Sequence, residues 1–297
     1  MTLRLRSHAK INWHLEVLGR RQDGFHELLT LFQTVALHDD IEIEIREAGI
    51  DLEIEPLTAD GESTPAGESN LAWRAARLFL DRFSQAAGGV ALRLRKRIPV
   101  GGGLGGGSSN AATVLTGLAA LSRPRPALAE LEGIAAELGA DVPYFLHGGV
   151  AIGYGRGDRI RPLPDDGIEE QKIWLAVPPI AVSTKEVFGS HRLTPGPPSS
   201  LEPWIARGLP RRLSELGGRN DLEATCFALH PEVGRVYDLL IASGASWVRL
   251  SGSGATLVAT FESAAAADGA GRTLPEGVRW LPSRTLRRAT WRDSAGF

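Results

Sequence analysis

Residues 99–112 read PVGGGLGGGSSNAA, and six of the seven positions from 101 to 107 are glycine. Glycine loses more backbone freedom on ordering than any other residue, so a dense run inside a folded chain needs some structural or functional return. A flexible linker has polar flanks on both sides. Here an alternating strand pattern leads in and an apolar helical pattern leads out, which disfavours a linker. A tight turn and a loop wrapped around a ligand remain. Consecutive glycine N–H groups can converge on an anion, and the start of the next helix adds unpaired donors and a favourable dipole. Ser108 and Ser109 add hydroxyls suited to a phosphate oxygen or a magnesium ion. The Walker pattern fails because serine stands where its lysine belongs. Gly101, Gly103 and Gly106 meet G-x-G-x-x-G, a weak match in so glycine-rich a run, and no βαβ series follows.

The chain is long enough for a large core, in one large or two moderate domains. A polar stretch at 165–172 suggests a division into residues 1–165, carrying the glycine loop, and 166–297. A single cysteine, Cys226, rules out an internal disulfide. The net charge of -2 gives no general attraction to nucleic acid. No apolar run is long enough to span a membrane, and no export signal is visible, so a cytoplasmic protein without membrane partners is expected. The basic stretches 93–97 and 284–288 read as solvated strand faces, with anion contact as the alternative.

Alternation marks strands through Leu3, Leu5, Ile11, Trp13 and Leu15, again at Ile41, Ile43 and Ile45, and after an Ala48-Gly49 turn at Leu52 and Ile54. Helical spacing runs from Leu71 to Ala87, where Gly88 and Gly89 stop it. In the strand that follows, Lys96 shares the parity of Val90, Leu92, Leu94 and Ile98. It either snorkels to water at the strand end or points at a ligand of the adjoining loop. Ser108 or Ser109 is expected to cap a helix through residue 121, and a second helix fits 128–138 with Gly139 as its stop. Residues 140–164 read as irregular chain passing into strands, 173–179 as a core strand and 194–203 as a surface loop. A helix near 231–242 precedes two strands around the SGSGAT turn.

Lys10 and Asn12 lie in a strand-like segment with His8 and His14, near Asp23 and His26 in sequence. No histidine or cysteine spacing suggests a metal site. Asp141 either caps the next turn or serves as a general base, for which a lysine neighbour is chemically apt. The residues alone therefore indicate an anion-binding, nucleotide-using enzyme and leave its substrate open.

The loop together with AKINWHLEVLGRRQDGFHEL, ESNLAWRAA, GADVPYFLHGGVAIGYGRGD, NDLE and LSGSGATLVA resembles the GHMP kinases, a family that includes galactokinase, homoserine kinase and mevalonate kinase. Within it the chain is most similar to members that phosphorylate a cytidine-diphosphate-linked polyol on the way to isoprenoid precursors. Another small-molecule kinase of the family, for homoserine or mevalonate, is the alternative. The resemblance implies an α+β fold, with an N-terminal ribosomal-protein-S5-like nucleotide domain and a C-terminal ferredoxin-like domain around a shared cleft. It implies ATP as co-substrate with Mg2+, and no assigned protein ligand for the metal. Lys10 and Asp141 would be the catalytic pair. Asn70, Lys96, Gly101, Gly102, Gly103, Leu104, Gly105, Gly106, Gly107, Ser108 and Ser109 would handle ATP. Asn12, Phe25, His26, Thr184 and Phe188 would hold the acceptor, with the cytosine between aromatic rings.

Overall fold

A computed structural model describes residues 2–58, 63–83, 88–193 and 201–296. The chain opens with a long antiparallel pair, β1 (Thr2–Arg20) and β2 (His26–Arg46). Register shifts fall between His8 and Lys10, between Asn12 and His14, and between Val17 and Gly19. Residues 7–17 are buried without a break, so the middle of β1 is covered on both faces and its lysine and asparagine must be satisfied inside the protein.

Then come β3 (Ile50–Pro56), α1 (Leu71–Phe83), β4 (Gly89–Lys96), α2 (Gly106–Leu121), α3 (Leu128–Leu138), α4 (Val142–His147), β5 (Val150–Gly155) and β6 (Arg159–Pro162). The first sheet runs β3-β4-β2-β5-β6, with β1 also on β2, and only β3–β4 is parallel. Its Ile41, Ile43, Leu92 and Leu94 pack with Ala75, Phe79, Leu115 and Ile134 of the helices in one apolar cluster. Gly117 lets α2 approach this sheet, since a Cβ there would overlap Ile43.

The second half comprises β7 (Lys172–Val177), α5 (Thr184–Ser190), α6 (Glu202–Arg207), α7 (Glu223–Leu229), α8 (Pro231–Ala242), β8 (Trp247–Leu250), β9 (Leu257–Thr260), α9 (Ala264–Gly271), β10 (Arg279–Arg284) and α10 (Arg288–Ala295). Its sheet runs β10-β7-β9-β8, antiparallel throughout. Counted within this half the order is 4-1-3-2, the ferredoxin-like arrangement that the resemblance implies. Ile11, Trp13, Leu31 and Ile152 of the first sheet meet Ile173, Leu175 and Val258 of the second in a shared cluster, so one core joins the two sheets.

Several local expectations change. The helix after the glycine loop starts at Gly106, with Gly105 (φ +70°) before it and no side-chain cap. A left-handed residue starts this helix, and both serines already lie in its first turn. Residues 140–164 hold a helix and two strands rather than irregular chain leading in. The α1 helix is described to Phe83, and 84–87 lie outside the described residues, as do 194–200 of the expected surface loop. The end of that stretch enters α6 at Glu202. Arg93 and Arg95 do form a solvated face, paired with Glu53 and Glu55 of β3. Arg288 instead reaches inward and donates to the carbonyls of Val150 (2.8 Å) and Leu163 (2.9 Å). Among the described residues no helix is long and apolar enough to cross a membrane.

Candidate active site

A cavity of about 530 Å³ lies where the glycine loop, β1, the start of α4, α5 and the turn at 252–253 converge. Gly101, Gly103 and Gly105 have φ of +68°, +74° and +70°. A Cβ at Gly103 would overlap the Ser251 carbonyl, and one at Gly105 would stand 2.8 Å from Phe145 Cζ. The loop therefore needs glycine for turning and for close approach at once. The second half clasps it: Thr256 N–H donates to Gly102 O (3.2 Å) and Ser251 Oγ to Gly103 O (3.0 Å). Leu104, the one non-glycine in the run, is buried and anchors it in the shared core.

Lys10 and Asn12 share a strand parity opposite to Ile11 and Trp13, which places both at the cavity while their neighbours fill the core. Lys10 is 3% exposed. Its Nζ donates to Asn12 Oδ1 (2.9 Å) and Gly103 O (3.0 Å) and stands 3.4 Å from Asp141 Oδ2. The Asn12 amide is fixed in turn, donating to Thr30 Oγ1 (2.7 Å) and accepting from Gly252 N–H (2.9 Å). Asp141 stands at the head of α4 but makes no capping bond. The capping alternative is thereby overturned; the carboxylate, 35% exposed, faces the lysine and the cavity instead.

Thr184 and Phe188 line the cavity as well. Thr184 Oγ1 is 3.0 Å from Ser253 Oγ. The His26 ring lies against Phe188, centroids 5.3 Å apart and planes 34° apart. Burial, helped by the charges of His191 and Arg20, lowers the pKa of His26, so its imidazole is neutral at neutral pH. Phe25 is 53% exposed, and neither it nor His26 lines the cavity, which His26 reaches only through Phe188. The Arg156 guanidinium sits 5.0 Å from the Phe25 ring centroid, ion-paired with Asp158, and does line the cavity.

Asn70 and Ser108 also line the cavity, and Asn70 accepts from Ala72 N–H (2.8 Å) at the start of α1. Lys96 lines it too but does not snorkel: it is buried, 2.5 Å from Asp39 Oδ2 and 3.2 Å from Asn110 Oδ1. Ser109 departs from expectation. Its hydroxyl donates to His8 O (2.6 Å), accepts from Ser7 Oγ (2.7 Å), and lies outside the cavity lining. His8 and His14 are buried structural groups, and burial lowers both pKa values, His8 to about 4. Among the described residues no cluster of three or more His, Cys, Asp or Glu could hold a metal.

Asn110, Arg156, Gly252 and Ser253 also line the cavity, without being singled out from the sequence. The SGSGAT turn carried a visible glycine signal for two of them. Asn220 of the NDLE stretch holds that turn, donating to Leu250 O (2.8 Å) and Gly252 O (2.7 Å). Arg156 lies in the GADVPYFLHGGVAIGYGRGD stretch, which gave it no role of its own.

Residues 70–149 match the family described as GHMP kinases N terminal domain, and 205–279 match that described as GHMP kinases C terminal. The chain is 40% identical to the 4-diphosphocytidyl-2-C-methyl-D-erythritol kinase of Solibacter usitatus (strain Ellin6076), across 97% of this chain and 91% of that protein. It is also 40% identical to the kinase of that name from Syntrophus aciditrophicus (strain SB), across 88% and 90%. A crystal structure of 4-(cytidine 5'-diphospho)-2C-methyl-D-erythritol kinase superposes with a TM-score of 0.76 at 36% identity, over 95% of this chain and 99% of that one. A homoserine kinase from Cytophaga hutchinsonii shares the fold at 16% identity, TM-score 0.72.

Proposed function

The chain belongs to the GHMP kinases, and among them to the 4-diphosphocytidyl-2-C-methyl-D-erythritol kinases, and from that premise we propose how its cleft works. It transfers the γ-phosphoryl group of ATP to the 2-hydroxyl of 4-diphosphocytidyl-2-C-methyl-D-erythritol, giving ADP and the 2-phosphate, on the route to isoprenoid precursors. The observation that carries the mechanism is the Lys10–Asp141 pair, 3.4 Å apart on the cavity wall beside the Gly103 carbonyl.

Phosphoryl transfer asks a protein for in-line positioning and charge stabilisation more than for covalent chemistry. The glycine loop and the start of α2 offer N–H groups and a positive dipole end to the triphosphate. Asp141 orients the acceptor hydroxyl and takes its proton. Lys10, held by two neutral acceptors, keeps a positive charge where the transferring group gains negative charge. Phe188 and neutral His26 suit a cytosine, one by stacking and one by hydrogen bonding, with Thr184 beside them and Phe25 at the exposed rim. Asn12 holds Lys10 and the 252 turn at the acceptor.

Magnesium suits this site as an ion bound mainly by nucleotide phosphates, because Ser108 and Asp141 put hard oxygen donors on the cavity wall. Such an ion would supply charge neutralisation to the nucleotide's phosphates. Residues 1–165 form the nucleotide-loop domain and 166–297 the C-terminal domain. This division is supported by the end of the first sheet at Pro162 and the start of the second at Lys172. The reaction is placed in the cytoplasm, where ATP is available.

The test is ADP release with ATP and Mg2+, offering the cytidyl methylerythritol, homoserine and mevalonate in turn. ADP forms with the first alone. Asp141→Asn then lowers kcat by ~10²- to 10⁴-fold while ATP binding persists. ADP formation with either other acceptor overturns the substrate assignment, and an unchanged kcat overturns the role of Asp141.

A further inference from the structure

We propose that Asp39 is a positioning residue for the phosphate loop and that it acts through Lys96. Asp39 lies in β2, fully buried and outside the cavity lining. Its carboxylate gathers four donors. Oδ2 accepts from Lys96 Nζ (2.5 Å) and Asn110 Nδ2 (2.9 Å), and Oδ1 from the backbone N–H of Arg97 (2.7 Å) and Ile98 (2.9 Å). Residues 96–98 are the stem leading into the glycine loop, and Asn110 belongs to the helix leading out. Oδ1, an acceptor that Asp39→Asn retains, fastens the incoming stem. Oδ2, which that variant loses, fixes Lys96 and through it Asn110 (Nζ to Oδ1, 3.2 Å) beside a loop whose glycines give it little stiffness of its own.

The position of Lys96 explains why that charge is needed. Its Nζ stands 3.3 Å from where a Cβ on Gly106 would be, against the first residue of α2. A buried ammonium at the positive end of a helix is doubly unfavourable, through lost hydration and through the dipole. Asp39 is the resident counter-ion that makes the placement tolerable. It leaves a cation oriented on the cavity wall, where a nucleotide triphosphate would be the second anion to meet it. Asn110 extends the arrangement. Its Nδ2 also donates to Ser7 Oγ (2.9 Å), Ser7 Oγ donates to Ser109 Oγ (2.7 Å), and Ser109 Oγ donates to His8 O (2.6 Å). That chain of buried bonds ties α2 to β1 two residues before Lys10, so the loop and the catalytic lysine share one support.

The role of Asp39 follows only if the loop is the ATP site proposed above. The experiment is therefore ATP titration together with steady-state kinetics for the wild type, Asp39→Asn, Lys96→Met and the double variant. Asp39→Asn weakens ATP binding and raises the ATP KM by about tenfold or more, while the acceptor KM stays constant. In the Lys96→Met background the same substitution changes ATP affinity by no more than about twofold, because the group it acts through is gone. A purely structural role would lower the active fraction without this ATP selectivity, and its effect would persist in that background. Unchanged ATP affinity in Asp39→Asn, or full additivity with Lys96→Met, overturns the proposal. If Asp39→Asn alone does not fold, the double variant, which removes both buried charges, is compared with Lys96→Met under the same criterion. A wild-type chain that binds no ATP refutes the site reading itself, whereas one that binds ATP without turnover still tests Asp39 by titration.

Discussion

At the residue scale, the cleft is set by where single polar groups are held. Lys10 and Asn12 are fixed by bonds to each other, to Gly103 and to Gly252, all of them groups of the protein itself. This is the preorganisation that electrostatic catalysis needs. Where the acceptor is proposed to bind, Phe188 offers a ring face that His26 supports from one side. Replacing Phe188 with Ala removes a stacking platform worth ~1–3 kcal/mol per base, which raises the acceptor KM by roughly five- to 150-fold. Initial-rate measurements across both substrates check this; an equal rise in the ATP KM would place Phe188 outside the cytosine pocket. Strand parity already turned Lys96 to the apolar side, but it could not name Asp39, which is 57 residues away in sequence.

The glycine loop shows what an element contributes beyond its residues. Its three left-handed glycines alternate with ordinary positions, and the turn at Ser251 fits so closely that Gly103 has no room for a side chain. Gly103→Ala would adopt left-handed backbone at ~1–2 kcal/mol and also displace a backbone carbonyl that no rotamer change can relieve. ATP affinity in that variant falls by more than about tenfold, read by titration, with Tm lower by several degrees. Unaltered affinity would show that the loop's shape is not what binds the nucleotide. The entry to α2 was misplaced from sequence for a related reason. Serine is a good cap in general, but here the preceding glycine provides the turn, and Ser109 serves strand β1.

On the scale of the whole molecule, α10 closes the chain against its own beginning: Ser294 Oγ meets His8 Nε2 at 3.1 Å, while His8 Nδ1 meets Val35 O at 3.1 Å. Burial, with the nearby His38, depresses the His8 pKa from 6.5 to about 4. The folded state then binds fewer protons than the unfolded state between these values. Its stability contribution is complete above pH 6.5 and is lost as the pH falls toward 4. The loss from this group between pH 7.5 and pH 5 is about 2 kcal/mol. Urea unfolding at the two pH values measures it. His8→Gln shrinks the drop by about that amount, and an unchanged drop would contradict the burial of a neutral imidazole.

The sequence by itself determined the alternating strands, the helices α1, α2, α3 and α8, and the chemistry the glycine loop could carry, but not α4 to α7, α9, α10 or β10. Alternation marked strands β1, β2 and β4, and a glycine run between a strand and a helix is rare enough to point to an anion loop. These signals are local, because period and backbone freedom are properties of neighbouring residues. The family resemblance had grouped Lys10 with Asp141 and His26 with Phe188, and the fold brings each pair together. Tertiary structure alone brought Asp39 to Lys96 and the 251–256 turn onto the glycine loop. Pairing of that kind depends on how two sheets pack across one shared core, and distance along the chain carries no record of it.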